Sequence, residues 1–207
     1  MADREPNSLV ATTAQYDAAG IEFAEARIVR AWNLRGDPGR MPFVAEARNL
    51  FGLPLPLQPN TSASGAAGAM LWLGPRSWLW VAGSDAPPQE FDPARRALNA
   101  AGAALFDLSA SYVAWTISGP EVARVLNRGC PLDFHPRAFP AGHCAQSVFG
   151  HINALFYRPD DRPAFLVMVA RSLAADARHD LWAAALPEGP RVAPALPFAA
   201  VPGVRRG

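Results

Sequence analysis

The stretch from residue 104 to residue 129, ALFDLSASYVAWTISGPEVARVLNRG, contains the change of pattern that decides the predicted fold. Residues 105–108 and 112–118 are rich in the aromatic and β-branched residues that favour strands, and we expect a strand at each. The Gly-Pro-Glu motif at 119–121 then breaks the strand pattern and opens a helix. Apolar residues recur there at a spacing of three to four, up to a glycine that ends the helix. The chain therefore passes from strand to strand to helix within one short stretch.

On both sides of this stretch, the same patterns predict elements in the order β-α-β-β-α-β followed by β-α-β-β-β-α. Two split βαβ-type halves in succession indicate an α+β fold, a T-protein-like domain with antiparallel or mixed sheets. A doubly wound parallel sheet is excluded, because the chain has no G-x-G-x-x-G turn between a strand and a helix. Residues 25–34 are expected to form one strand, and residues 54–68, which are rich in Pro, Ser and Gly, a loop. Apolar residues at helical spacing predict a helix over residues 41–51 that ends at Gly52. Residues 70–73 and 78–81 are expected to pair as a hairpin.

The predicted elements form a single domain over residues 25–186, with pseudo-halves at about 25–108 and 112–186. Residues 1–24 start polar and show no clear period, so we expect a flexible N-terminal segment. Residues 187–207 contain five prolines and end on two arginines before the last glycine, and we expect a Pro-rich C-terminal arm.

Composition and charge exclude several classes of protein. The 207 residues include 19 basic and 18 acidic ones, and the net charge of +1 is too small for a nucleic-acid-binding surface. A hydrophobic fraction of 50% excludes a disordered chain, and no apolar run is long enough to span a membrane. The charged N-terminus lacks the apolar core of a secretion signal and there are two cysteines, so a cytoplasmic location is expected.

The balance of residue types has two interpretations, one of which involves partner chains. Charged residues make up 18% of the chain, below the usual quarter or so, and there are 6 Trp and 11 Phe. One interpretation is a subunit that buries much of its surface against other chains. The other is a coding bias, since every basic residue is Arg and none is Lys. Both interpretations stay open on composition alone.

No self-contained active site is predicted. Cys130, His135, His143 and Cys144 lie within fifteen positions, but their spacing matches no zinc finger or zinc ribbon. Asp160 and its neighbour are paired carboxylates in an Arg-Pro-Asp-Asp-Arg-Pro turn, which favours a solvated hairpin tip over an acid–base pair. We therefore predict no catalytic, cofactor-binding or metal-binding residue.

The segment from Gly129 to Pro140, GCPLDFHPRAFP, is the candidate functional feature that remains. Its three prolines hold the backbone in extended or turn geometry. It could be a rigid crossover that covers the core, or a preorganised surface for a partner. The predicted contact residues are Cys130, Pro131, Asp133, His135, Pro136, Arg137 and Phe139. Arg137 is expected to contribute most, unless it pairs with Asp133 within the chain.

Several blocks of the chain resemble those of one family. They are Leu71-Trp72-Leu73-Gly74-Pro75 with Trp78-Leu79, Asp107-Leu108-Ser109, Ile117-Ser118-Gly119-Pro120, and Arg171-Ser172-Leu173 with Leu181-Trp182. The longest match is VLNRGCPLD at 125–133 followed by HPRAF at 135–139. Over roughly residues 25–186 the chain is similar to the gamma subunit of heterotetrameric sarcosine oxidase.

The resemblance implies a function carried out by a complex. That complex oxidises sarcosine with O2 to glycine and hydrogen peroxide, and passes the one-carbon unit to tetrahydrofolate. Its FAD, FMN, NAD, tetrahydrofolate and zinc belong to other subunits, so this chain is expected to be non-catalytic and to bind no cofactor. The implied partners are the alpha, beta and delta subunits, with neither nucleic acid nor membrane.

A wider resemblance joins the chain to the folate-binding domain of the glycine cleavage T-protein. Asp107-Leu108-Ser109, the block at 118–121 and Tyr157-Arg158 align with its D-L-S-H, S-G-P-D and V-Y-R blocks. Where that protein has a pair of aspartates, this chain has Ile152-Asn153, and an amide cannot supply the charge that would stabilise a cationic intermediate. The alternative function is a stand-alone folate-binding module or an aminomethyltransferase-like enzyme.

Overall fold

The computed structural model describes residues 20–65, 68–83 and 88–198. Most of the predicted N-terminal segment (1–19) and the end of the predicted arm (199–207) lie outside the described residues. None of the helices in the described ranges is long and apolar enough to cross a membrane.

The described residues form eleven strands and four α-helices. The strands are β1 (Glu22–Arg27), β2 (Arg30–Arg35), β3 (Ser62–Gly65), β4 (Gly68–Gly74), β5 (Ser77–Ala82), β6 (Ala104–Asp107), β7 (Tyr112–Ser118), β8 (His143–Phe149), β9 (Ile152–Arg158), β10 (Ala164–Ala170) and β11 (Arg191–Pro197). The helices are α1 (Met41–Phe51), α2 (Phe91–Ala100), α3 (Val122–Asn127) and α4 (Ala174–Ala185), with 3-10 turns at Arg171–Leu173 and Leu186–Glu188.

The strands form two sheets. The five-stranded sheet has the order β3-β4-β5-β2-β6, and all of its pairs are antiparallel. The six-stranded sheet has the order β11-β1-β7-β10-β9-β8 and is mixed, because β11 runs parallel to β1. The structure therefore confirms the predicted α+β class with antiparallel and mixed sheets.

The two sheets pack face to face, and each carries a pair of helices on its outer face. One apolar cluster lies between the sheets, a second lies between the six-stranded sheet and helices α3 and α4, and a third lies between the five-stranded sheet and helices α1 and α2. Strand β10 contributes to two of these clusters. Leu166 and Met168 lie in the first cluster, while Phe165 and Val167 lie in the second. A strand buried on both faces must be apolar along its length, as β10 is.

Helix α1 illustrates how local sequence sets an element. Pro42 lies in its first turn, and Phe43, Ala47 and Phe51 recur at four-residue spacing on the buried side. Gly52 ends the helix with a φ of 65°, and its N–H donates to the Arg48 carbonyl at 2.9 Å. The helix has the bounds that its periodicity predicts.

The predicted single strand over residues 25–34 is wrong. The chain forms β1 in one sheet and β2 in the other, and crosses between them at Ile28 and Val29. The Val29 N–H donates to the Ala82 carbonyl at 3.0 Å, which anchors the crossing. Alternation continues through this point, so a period of two does not reveal a change of sheet. Strand β1 also begins at Glu22, and the last three residues of the predicted flexible segment belong to it.

A further strand lies within the predicted loop at residues 54–68. Strand β3 has the sequence SASG, which lacks the apolar alternation of a strand. Strand β3 forms because it has partners on both sides. On one side it pairs with β4. On the other side the main-chain N–H and the Oγ of Ser62 both donate to the Gly142 carbonyl, at 2.8 and 2.7 Å. Pairing on both sides stabilises a segment whose own residues have little strand preference.

The C-terminal segment is part of the sheet. Residues 191–197 add β11 beside β1, and Phe198 is fully buried in the cluster between the two sheets. Strand β11 corresponds to the first part of the predicted arm. The five-stranded sheet takes its strands from residues 30–107, and the other takes all but β1 from residues 112–197. The domain boundaries themselves remain a prediction.

Candidate partner-binding surface

The segment 129–139 connects helix α3 to strand β8 and is anchored at its start. The Cys130 N–H donates to the Leu126 carbonyl at 3.0 Å, and the Gly129 carbonyl accepts the Gly150 N–H at 2.7 Å. A Cβ on Gly129 would lie 2.4 Å from the Phe149 ring, so only glycine lets the chain pass this closely. The segment therefore leaves α3 in a fixed direction, held against the turn between β8 and β9.

The inner side of the segment belongs to the core. Phe134 is 0% exposed, and its ring centroid lies 4.9 Å from that of Phe156, 5.3 Å from that of Phe165 and 5.4 Å from that of Phe139. Cys130 and Phe139 are buried as well. These two residues were predicted as partner contacts, and the structure corrects that: the apolar side chains of the segment face inward, where they cover the six-stranded sheet.

The outer side of the segment presents polar side chains on a backbone whose N–H groups are satisfied locally. Asn127 Oδ1 accepts the Phe134 N–H at 3.0 Å, and Asp133 Oδ1 accepts the His135 N–H at 2.8 Å. His135 Nδ1 in turn accepts the Arg137 N–H at 3.2 Å. A chain tied at each of these positions loses little conformational entropy when it binds.

Five of the predicted contact residues lie on this outer side. They are all exposed: Pro131, Asp133, His135, Pro136 and Arg137. In the described part of the chain no ion pair joins the Asp133 carboxylate to the Arg137 guanidinium. The alternative in which Arg137 is used within the fold therefore has no contact to support it. The exposed face defined by these five residues is called the 129–139 face below.

Arg158 fastens the far end of the segment, a role that no local pattern in the sequence predicts. Its Nη1 donates to the Phe139 carbonyl at 2.9 Å and its Nη2 to the Asp161 carbonyl at 3.1 Å, while the residue is only 4% exposed. Its guanidinium also lies 6.0 Å from the centre of the Phe165 ring. No carboxylate pairs with it within the described residues, so main-chain carbonyls stabilise this charge.

The cysteine and histidine residues near the segment are not brought together. Cys130 lies in the cluster under α3 and α4, whereas Cys144 lies between the two sheets, on the opposite side of the six-stranded sheet. Over residues 20–65, 68–83 and 88–198, no three His, Cys, Asp or Glu side chains converge as metal ligands would. Burial raises the pKa of the Cys144 thiol to about 12, so this thiol is protonated and unreactive at neutral pH.

A cavity of about 440 Å³ opens at Asn153, one of the two residues that the resemblance to the T-protein aligns with its aspartate pair. Asn153 lines it together with Tyr112, Gln146 and five further uncharged residues. Burial raises the pKa of the Tyr112 hydroxyl, so this group is neutral as well at neutral pH. No charged group among the described residues lines the cavity, which leaves a developing positive charge in it without an anionic partner.

A second unforeseen contact clamps helix α3 to the end of α4. Glu188, whose side chain is 5% exposed, accepts hydrogen bonds from Arg128 at 2.5 and 2.7 Å and from Arg124 at 2.8 Å. The two hydrogen bonds from Arg128, followed by the one from Arg124, lower the pKa of Glu188 from 4.5 to about 2. The 129–139 segment leaves α3 directly beyond this clamp. Glu188 lies sixty residues or more from both arginines in the sequence, so no local pattern predicts their contact.

We expect the Glu188 clamp to make stability depend on acid pH. Because its folded pKa of about 2 lies below the unfolded value of 4.5, its contribution is complete above pH 4.5 and is lost as the pH falls towards 2. Urea denaturation should show Glu188→Gln to be less stable than the parent chain at pH 7, with a gap that narrows between pH 4.5 and pH 2. The control is Glu25→Gln, on an exposed side chain. A gap that stays constant over this range would contradict the assignment.

Comparison with known proteins decides the family. Residues 35–185 match the model of the sarcosine oxidase, gamma subunit family. The chain belongs to that family. It is 30% identical over 164 residues to the sarcosine oxidase subunit gamma of Corynebacterium sp. (strain P-1), and 31% identical over 164 residues to that of Arthrobacter sp.. Each alignment covers 77% of this chain and 78% of the relative. The resemblance drawn from the sequence blocks is confirmed.

Solved structures place the fold in the same group. A chain of the heterotetrameric sarcosine oxidase from Corynebacterium sp. U-96, in complex with pyrrole 2-carboxylate, superimposes with a TM-score of 0.70 at 25% identity, covering 83% of this chain and 87% of that one. The glycine cleavage system aminomethyltransferase T from Bartonella henselae gives a TM-score of 0.53 at 13% identity, covering 88% of this chain and 49% of that one. The second likeness concerns the fold alone, and it confirms the T-protein-like architecture.

Proposed function

We propose that this chain is the non-catalytic gamma subunit of a heterotetrameric sarcosine oxidase, with alpha, beta and delta subunits as its partners. The complex oxidatively demethylates sarcosine to glycine, produces hydrogen peroxide and transfers the one-carbon unit to tetrahydrofolate. The observation that carries the proposal is the family match over residues 35–185, which includes the whole 129–139 segment. We place the complex in the cytoplasm, where two free thiols, Cys130 and Cys144, are typical.

The non-catalytic role is supported by the chemistry of the residues that could have acted. The Cys144 thiol is protonated, and Asn153 stands where the T-protein-like enzymes have a carboxylate. On this proposal FAD, FMN, NAD, zinc and tetrahydrofolate are bound by other subunits. This chain contributes structure and contacts to the complex.

The 129–139 face is the surface that we propose docks on the catalytic alpha subunit. Its backbone is fixed by Pro131 and Pro136 and by the hydrogen bonds to Asn127, Asp133 and His135 described above. The Arg137 guanidinium is free to pair with a carboxylate of the partner, and a planar guanidinium does so with two parallel hydrogen bonds. A rigid support that carries an exposed Arg matches the usual composition of an interface hot spot.

Arg137→Ala is expected to weaken assembly by about 2 kcal/mol, roughly thirtyfold in Kd, because the substitution removes the hot-spot guanidinium. The isolated variant should melt nearly as the parent chain does, since Arg137 is exposed and forms no ion pair in the described residues. Surface plasmon resonance against the remaining subunits measures the first effect and calorimetry the second. Arg96→Ala, on the exposed side of α2, serves as the control. Normal assembly with a much lower Tm would assign the segment to the fold alone.

The proposed function is tested by co-expression with the neighbouring subunits. We expect the chain to co-purify with alpha, beta and delta in a complex that oxidises sarcosine, and the isolated chain to show no turnover. The folate-enzyme alternative makes the opposite prediction. Tight binding of tetrahydrofolate by the isolated chain, together with turnover of a methylamine donor, would overturn the proposal in its favour.

A further inference from the structure

A second charged surface lies on the opposite side of the molecule from the 129–139 face. It is a cleft of about 590 Å³ at the outer end of the five-stranded sheet, where the start of α1, the end of β2, the β4–β5 turn and the turn after α2 meet. Three arginines and one acid line it, namely Arg35, Arg40, Arg76 and Asp37, and the rest of the lining is Gly and Ala. The cleft thus carries a net charge of +2. We call it the arginine cleft.

The acid of the cleft is already engaged. Asp37 Oδ2 pairs with Arg76 Nη2 at 2.5 Å, and Asp37 Oδ1 accepts the Gly39 N–H at 3.0 Å. The Arg35 Nε donates a hydrogen bond to Asn33 Oδ1 at 2.8 Å. The two Nη groups of Arg35 remain available for another acceptor. The cleft therefore holds three guanidinium groups and one carboxylate, which pairs with Arg76, and the surplus charge is positive.

Arg40 is held in the cleft without a charged partner. A Cβ on Gly102 would lie 2.2 Å from Arg40 Nη1, so the guanidinium occupies the space that this glycine leaves open. Gly102 has a φ of +82° and follows the C-terminal end of α2, whose partial negative charge steadies the guanidinium without neutralising it. In the described ranges Arg40 forms no ion pair, so its charge remains available.

Exposed apolar side chains border the arginines. Met41, the neighbour of Arg40, is 71% exposed, and Phe106 on β6 is 47% exposed with the Arg35 guanidinium 5.5 Å from its ring centre. Arg, Met and aromatic residues are the types enriched at the centres of protein interfaces. A small free anion would leave Met41 and Phe106 in water, whereas a protein segment would cover them and the guanidinium groups together.

We propose that the arginine cleft binds an acidic segment, rich in Asp or Glu, of a neighbouring subunit of the complex. The inference rests on the proposed function and adds a second contact to it. The cleft lies beside helices α1 and α2, and the 129–139 face lies on the side of α3 and α4, with both sheets between them. The gamma chain then contacts partner surfaces on two opposite sides, and it bridges parts of the assembly that do not otherwise have to touch.

The absence of lysine from the sequence gives a direct test. In Arg40→Lys the new amine is the chain's only side-chain amine, so a water-soluble carbodiimide can couple it only to a carboxylate that it contacts. In the purified complex we expect mass spectrometry to find Lys at position 40 joined to an Asp or Glu of another subunit. The matched control, Arg48→Lys at the other end of α1, should give no such product. A complex in which position 40 couples to Asp37 alone, or to nothing, would overturn the inference.

Charge reversal supplies the second measurement. Arg40→Glu and Arg76→Glu, made separately, should each weaken assembly about tenfold at low salt, and the effect should shrink as salt screens the charges. Circular dichroism on each isolated variant verifies its fold. If Arg40→Glu fails to fold, Arg76→Glu still tests the cleft, because the Arg76 side chain is 69% exposed and its replacement should not disturb the fold. Assembly equal to that of the parent chain would refute the cleft while leaving the proposed function intact. If the parent chain itself fails to co-purify with the other subunits, the proposed function fails, and the inference with it.

Discussion

Phe134→Ala is expected to lower the free energy of unfolding by about 4 kcal/mol, the usual cost of removing a buried aromatic ring. Phe134 is fully buried, and three aromatic rings lie within 5.4 Å of its own, so the surrounding core cannot collapse easily onto the space left behind. Guanidinium denaturation followed by circular dichroism measures the loss.

Phe106→Ala is the matched control for this experiment. The Phe106 ring is half exposed on an edge strand, and within the described ranges its one aromatic or cation–π contact is with the Arg35 guanidinium, so about 1 kcal/mol or less should be lost. If Phe134→Ala cost no more than Phe106→Ala, the 129–139 segment would not be anchored by its apolar side. The segment would then be a loop resting on the core, and the fixed backbone that supports the 129–139 face would have no basis.

Arg158→Met is expected to cost about 3 kcal/mol, because it removes two hydrogen bonds from a charged donor and leaves the buried Phe139 carbonyl without a partner. Methionine fills a similar volume, so the lost contacts and not a cavity dominate the effect. Chemical denaturation gives the magnitude. Limited proteolysis should show earlier cleavage within residues 129–142, since Arg158 holds the end of that segment.

Arg162→Met tests whether the effect belongs to the buried guanidinium. Arg162 lies four residues further along the chain, with its side chain 61% exposed and paired to Asp160 at 2.8 Å. A surface ion pair of this kind contributes about 0–1 kcal/mol. If Arg158→Met and Arg162→Met lowered the free energy of unfolding equally, the buried Arg158 contacts would be no stronger than an exposed ion pair. That result would contradict the anchoring role of Arg158.

Much of the fold is predictable from local pattern, and the reasons are visible in particular residues. Helix α1 has its predicted bounds because Pro42, the apolar spacing and Gly52 all lie within it or next to it. The β4–β5 hairpin around Pro75 and Arg76 is likewise local. Strand β3 was not predicted because its sequence SASG lacks the alternation of a strand, and the Gly142 carbonyl that holds it lies far away in the sequence. The crossing at Val29 was not predicted because its anchor, the Ala82 carbonyl, is also distant in sequence.

The candidate surface was only half predictable for the same reason. Prolines and charged residues at 129–139 indicated a stiff exposed segment, but not which side chains face the core, so Cys130 and Phe139 were assigned to the wrong side. Arg158 and Glu188 act on the segment from elsewhere in the chain. Nothing in the spacing of residues reveals that a guanidinium will meet a main-chain carbonyl nineteen positions away.

The pairing of β1 with β11 has a consequence for the order in which the protein folds. Glu22 lies opposite Arg191, so the six-stranded sheet joins residues that are 169 positions apart and cannot be completed until β11 has left the ribosome. Such distant pairing is slow, because a long loop must close before any contact forms. During synthesis β1 remains an open edge, ready to pair with other chains. We therefore expect the newly made chain to pass through an aggregation-prone interval, which ends when β11 docks and Phe198 enters the core.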